Sequence, residues 1–211
     1  MTIAQALAAF CIAAGLMTIV PGLDTALVLR TAAAEGPRNA ALAAFGIVLG
    51  CVTWGAAVAF GLGALLAASQ LAFTVLKWAG ALYLVWLGLS LLFKPRARFE
   101  LELADRATGA PRSRSWLGRG YLTNLLNPKV GVFYVSFLPQ FLPEHVPAGP
   151  FIFLLAVLHA LIGIAWFGIL IVATRPIARA LKRPSVVRRL DRLTGLVFVS
   201  FGVKLALVRQ R

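Results

Sequence analysis

The chain has 211 residues, 60% of them hydrophobic and only 13% charged, with a mean hydropathy of +0.87. A soluble domain carries about 25% charged residues, so this composition excludes a soluble enzyme or binding module and indicates a polytopic membrane protein. The net charge of +14 is not a nucleic-acid footprint: most of it lies in residues 94–119 and 175–192, between apolar spans, where it reads as cytoplasmic loop charge facing anionic lipid headgroups.

The first apolar span covers about residues 5–29 and is interrupted by Val20-Pro21-Gly22-Leu23-Asp24-Thr25. No basic residue precedes Arg30, so no signal-peptide start is expected. Cys11 and Cys51 sit in apolar spans and read as small buried packing residues rather than as a disulfide or a metal site. The second span, about 40–64, carries Gly46-xxx-Gly50 and Gly55, a small-residue face that suits close helix contact more than a substrate path. The third span, about 72–93, has Lys77 near its start, then Gly80, Tyr83, Trp86 and Gly88. Residues 94–119 read as a partly disordered linker or a surface helix. The fourth span, about 120–142, contains a second interruption, Asn124-Leu125-Leu126-Asn127-Pro128-Lys129. The fifth, about 150–174, carries His159, Gly163 and Trp166, and the basic stretch 175–192 follows it. The sixth, about 193–209, is short and broken by Lys204; it spans if Lys204 snorkels to the headgroups, and otherwise lies at the interface.

The expected fold is all-α: six transmembrane helices in one transporter domain, built as an inverted 3+3 repeat. The first repeat covers 1–93, the cytoplasmic linker 94–119 and the second repeat 120–211, with the first helix of each repeat broken. Basic residues follow spans 1, 3 and 5 and are missing after spans 2 and 4. The positive-inside rule then puts both termini in the periplasm.

Each break has physical consequences. Proline removes a backbone donor and glycine loosens the chain. The freed N–H and C=O groups are tolerated in a bilayer only inside protein or along a cavity. Asn127 is expected to cap the half-helix that Pro128 starts, and Asp24 to cap one starting at Thr25. Span 1 runs inward and span 4 outward, so two positive helix ends can meet near mid-membrane and form an anion site. A zwitterionic amino acid fits it. Its carboxylate would favour those ends and Lys129, and its ammonium would favour Asp24 or freed carbonyls. Asn124 and Asn127 would add neutral hydrogen bonds, while Pro21, Gly22 and Pro128 keep the backbone open around the site.

An acid within a membrane span also suits a proton carrier, and proton antiport needs no phosphate-binding loop, of which there is none. The plainer readings stay open: Asp24 as a cap paired with Lys129, the prolines as simple kinks, Asn124 as a helix–helix contact. Lys77 reads as snorkelling, His159 as a packed polar contact and Tyr83 as a packing aromatic more readily than as site residues. No catalytic residue, cofactor or metal ligand set is expected.

Three stretches carry a family resemblance. They are Pro21-Gly22-Leu23-Asp24, Lys77-Trp78-Ala79-Gly80-Ala81-Leu82-Tyr83-Leu84 with Gly88, and Asn127-Pro128-Lys129 followed by Phe133 and Phe137-Leu138-Pro139-Gln140-Phe141. Together they resemble the lysine exporter and homoserine/threonine exporter (LysE/RhtB) superfamily over nearly the whole chain. The resemblance implies six helices in a bacterial inner membrane and proton-driven efflux of amino acids or their derivatives. It leaves the cargo open. Some relatives export cadmium, for which this chain has few soft ligands. The rival classes are a small integral-membrane enzyme, whose acid and base would have to come from dispersed residues, and a non-transporting membrane subunit. Expected partners are an amino acid, protons, anionic lipid at the cytoplasmic loops and, through the small-residue faces, a second copy of the chain; nucleic acid is not among them.

Overall fold

The computed structural model describes residues 2–68, 70–95, 115–181 and 183–207, and among these every regular element is helical. Most of the expected linker lies outside the described residues, as do the side chains of Lys77 and Lys204.

Helix α1 (Ile3–Ile19) opens with a capping box: Thr2 Oγ1 accepts from the Gln5 N–H at 3.2 Å, and Gln5 Oε1 accepts from the Thr2 N–H at 3.0 Å. It stops because Pro21 pushes the preceding residue out of the helical region, and Val20 lies at φ −66°, ψ 121°. Helix α2 (Leu23–Ala34) resumes after Gly22, bent by 53° from α1. The chain then turns through Gly36 at φ +88°, a left-handed conformation that glycine adopts without strain. Pro37 starts α3 (Pro37–Ala68), a position where its missing N–H leaves no gap. Helix α4 (Gln70–Phe93) returns.

Beyond the linker, Ser115 caps α5 (Trp116–Leu125) by accepting from the Gly118 N–H at 3.3 Å. After the second break come the short α6 (Pro128–Val132), a π turn over Phe133–Phe137 and a 3-10 turn over Leu138–Phe141. The stretch 120–142, expected as the fourth span, is therefore not two plain half-helices. The chain closes with α7 (Ala148–Val172), α8 (Thr174–Leu181) and α9 (Pro184–Leu207).

By length and apolarity, residues Pro37–Gly61 and Ala148–Val172 can each cross a membrane, and α1 with α2 qualifies as one bent span. Large apolar side chains face outward, among them Phe60 at 79% and Val172 at 90% exposure, as a lipid-facing surface requires. The basic stretch 175–192, expected as a loop, is instead α8 and the start of α9. Proline is a good first helical residue and arginine a good helix former, so the charge does not mark where helix ends. In α8, Ile177 and Leu181 pack on the core while Arg175 and Arg179 stay exposed.

Small residues set the closest helix contacts. A Cβ on Gly46 would strike the Leu117 backbone of α5, one on Gly120 the Ala43 carbonyl, and one on Gly55 the Ala156 side chain of α7. At the crossing of α4 and α9, a Cβ on Gly88 would lie 2.7 Å from the Gly195 oxygen, and one on Gly195 2.6 Å from the Gly88 oxygen. These contacts fit the packing reading of the small-residue faces.

The apolar core falls into two clusters. One joins α1, the π and 3-10 turns and the first half of α7 through packed rings: Phe133 stacks on Phe137 with centroids 4.8 Å apart, and Phe10 meets Phe141 edge to face at 5.4 Å. The other joins α2, the first half of α3 and the second half of α7 around Leu27, Ile47 and Phe167. A cavity draws its walls from both.

Candidate functional site

The two breaks lie side by side, and the contact between them is made by side chains predicted from the sequence. The gap Val20-Pro21-Gly22 separates α1 from α2. Gly22, not Asp24, is the N-cap of α2, and it makes no side-chain capping bond. The helix begins at Leu23, two residues ahead of the expected start, because Gly22 is extended and helical geometry resumes at once. Asp24 therefore sits inside the first turn, where the helix dipole still favours a carboxylate.

Its Oδ2 accepts a hydrogen bond from Asn124 Nδ2 at 2.9 Å, across a hundred residues of chain. The same Nδ2 lies 3.4 Å from Cys51 Sγ on α3. Asp24 Oδ1 and Asn124 Oδ1 are buried and have no protein partner. Buried polar atoms are usually satisfied, so this pair keeps two acceptor oxygens in reserve at the cavity it lines.

At the second break, Asn127 Oδ1 accepts from the Lys129 N–H at 3.1 Å and Pro128 takes the first helical position, as expected. The Asn127 N–H continues the turn to the Asn124 carbonyl at 3.0 Å. The Lys129 ammonium then crosses to the other break and donates to the Met17 and Val20 carbonyls, each at 3.2 Å. These are oxygens at the C-terminal end of α1, which carries partial negative charge. They belong to the backbone that Pro21 leaves unpaired, and within a bilayer they require a donor.

Between the breaks is a cavity of about 50 Å³, room for a few waters. Gly22, Asp24, Asn124, Asn127 and Lys129 all line it. Pro21 and Pro128 shape the backbone beside it without forming its wall. His159 lines it from α7, with Nδ1 2.9 Å from the Tyr134 hydroxyl. Tyr83 stands apart on α4, its ring 5.7 Å from Trp86. Lys77 is on the same helix.

The sequence does not single out three polar residues of the lining, Thr18, Thr25 and Cys51, nor Tyr134 behind His159. Its place in an apolar span makes Cys51 read as packing alone. Tyr134 was hidden in the aromatic run of the fourth span, although a buried tyrosine hydroxyl usually needs a partner, which was the one available signal. Among the described residues, no group of three or more His, Cys, Asp and Glu side chains could hold a metal ion. The arrangement suits binding: carboxylate and amide acceptors and a cation gather around one small cavity.

The family model described as LysE type translocator matches residues 15–209. The leucine efflux protein of Enterobacter sp. (strain 638) is 32% identical over 199 residues, covering 93% of each chain. The homoserine/homoserine lactone efflux protein of Salmonella typhi is 32% identical over 202 residues, covering 95% of this chain and 96% of its own. Membrane protein YrhP of Bacillus subtilis (strain 168) is 29% identical over 209 residues, covering 96% of this chain and 99% of its own. No solved structure matches the chain.

Proposed function

The chain belongs to the LysE type translocator family, and on that premise we propose that it exports a free amino acid or a close derivative from the bacterial cytoplasm by proton antiport. The observation that carries this reading is the junction of the two breaks: Asp24 from one half is bonded to Asn124 from the other, beside Lys129 and a small cavity. Relatives named for leucine and for homoserine efflux support an amino acid as cargo. In this reading Asp24 takes the proton or the substrate ammonium, and Asn124 and Asn127 give neutral hydrogen bonds. Lys129 meets the substrate carboxylate by exchanging its carbonyl partners for it. Gly22, Pro21 and Pro128 keep both helices broken at that height, and His159 with Tyr134 closes the α7 side.

The same reading makes the chain a single domain of six spans in the inner membrane, with an inverted repeat of 1–93 and 120–211 about a cytoplasmic linker and both termini in the periplasm. The arginines of α8 and of the start of α9 would then meet anionic lipid on the cytoplasmic face. The test is transport by Asp24→Asn in proteoliposomes with an imposed pH gradient. The variant should insert and remain folded yet lose gradient-driven transport. Wild-type transport by it would remove Asp24 from the coupling role.

A further inference from the structure

The cavity lining is mixed. Beside the polar groups of the junction it includes an apolar set, Ile47 and Val48 from α3 with Ala160, Gly163 and Phe167 from α7. The three α7 residues share one helix face by their spacing, and all but Gly163 belong to the buried cluster that also contains Leu27 of α2. A Cβ added to Gly163 would find only the Phe167 ring, at 3.8 Å. Gly163 thus leaves a notch over that ring. His159, on the same face, already has its Nδ1 engaged by the Tyr134 hydroxyl.

Resting on the exporter reading above, we infer that the cargo is an amino acid with a neutral aliphatic side chain, that this side chain seats on the apolar set, and that Gly163 and Phe167 set its permitted size. With the zwitterionic end held at Asp24 and Lys129, these apolar residues of the same lining are the surface on which a side chain is seated. A cationic or anionic side chain placed there would be buried without a partner, which is strongly unfavourable. An aliphatic one replaces water against apolar surface, which is favourable. The apolar set holds no charged side chain to select lysine-like or glutamate-like cargo.

The test is counterflow into proteoliposomes of the intact chain, with labelled leucine, alanine, phenylalanine, lysine and glutamate as separate probes. Leucine should exchange at least about tenfold faster than lysine or glutamate, in line with discrimination by a pocket that leaves the wrong group unpaired. Gly163→Val fills the notch and should lower the leucine-to-alanine ratio by about tenfold, within the range seen for one or two methylenes in an apolar pocket. Phe167→Ala widens the site and should raise the phenylalanine-to-leucine ratio, and this decides the matter if Gly163→Val does not insert. Lysine or glutamate exchange as fast as leucine overturns the inference and leaves export standing, as do wild-type ratios in the inserted variants. No exchange of any of the five probes by the wild type overturns the exporter reading itself.

Discussion

At the scale of single residues, Lys129 ties together segments far apart in sequence. Replacing it with methionine leaves the Met17 and Val20 carbonyls without their ammonium donor. The expected loss is about 2 kcal/mol, the usual size for hydrogen bonds to a charged group, read as a lower thermal midpoint in detergent. Gly50 is a second sensitive position. A Cβ there would lie 2.6 Å from Asn124 Oδ1. Gly50→Ala should cost about 1–3 kcal/mol through overpacking and reduce transport by moving Asn124 off Asp24. Gly61→Ala, inside α3 where nothing lies within 4 Å, should leave transport unchanged and raise the midpoint slightly, by the roughly 0.5–1 kcal/mol alanine gains over glycine in a helix. Asn127 was legible as a cap because Asn-Pro places a side-chain acceptor just ahead of a ready-made first turn. Asp24 was misplaced by two residues because glycine can cap through its backbone alone. Cys51 and Tyr134 are not legible in the sequence because their partners come from distant segments, and no local pattern announces a long-range hydrogen bond.

At the scale of elements, both breaks were readable from Pro21-Gly22 and Asn127-Pro128, since proline and glycine act on the backbone whatever the tertiary context. The winding after Val132 was not. Residues Phe133–Phe141 form a plain apolar run, and a π turn differs from an α turn only in which carbonyl each N–H finds. If the first break is what opens the site, mending it should close the site. The double variant Pro21→Ala with Gly22→Ala favours continuous helix by about 4 kcal/mol from intrinsic propensity. It should still reach the membrane but fail to transport, as compared by membrane-fraction blotting and counterflow. Full activity with α1 and α2 fused would sink the role given to the break.

At the scale of the whole molecule, the charge pattern makes a checkable statement about orientation. A membrane-impermeant thiol reagent added to intact cells should label a cysteine placed at Glu144, in the turn after the fourth span, and spare one placed at Arg112, in the linker. The reverse pattern would invert the topology and, with it, the direction of transport. The order of elements was legible from hydropathy, but the extent of α9 was not. Its first turns carry Arg188, Arg189 and Arg192 beside the fully buried Asp191, and hydropathy alone counts such residues as loop.

The crossing of α4 and α9 has a mechanical consequence. With Gly88 and Gly195 bringing main chain against main chain, sliding one rod along the other would drive Leu92 or Val199 into the opposing backbone. The two are packed as one unit, and among the described residues neither lines the cavity. Any swing that lets a passenger through must be taken up by the jointed rods beside it, as a door leaf turns while its post stays still.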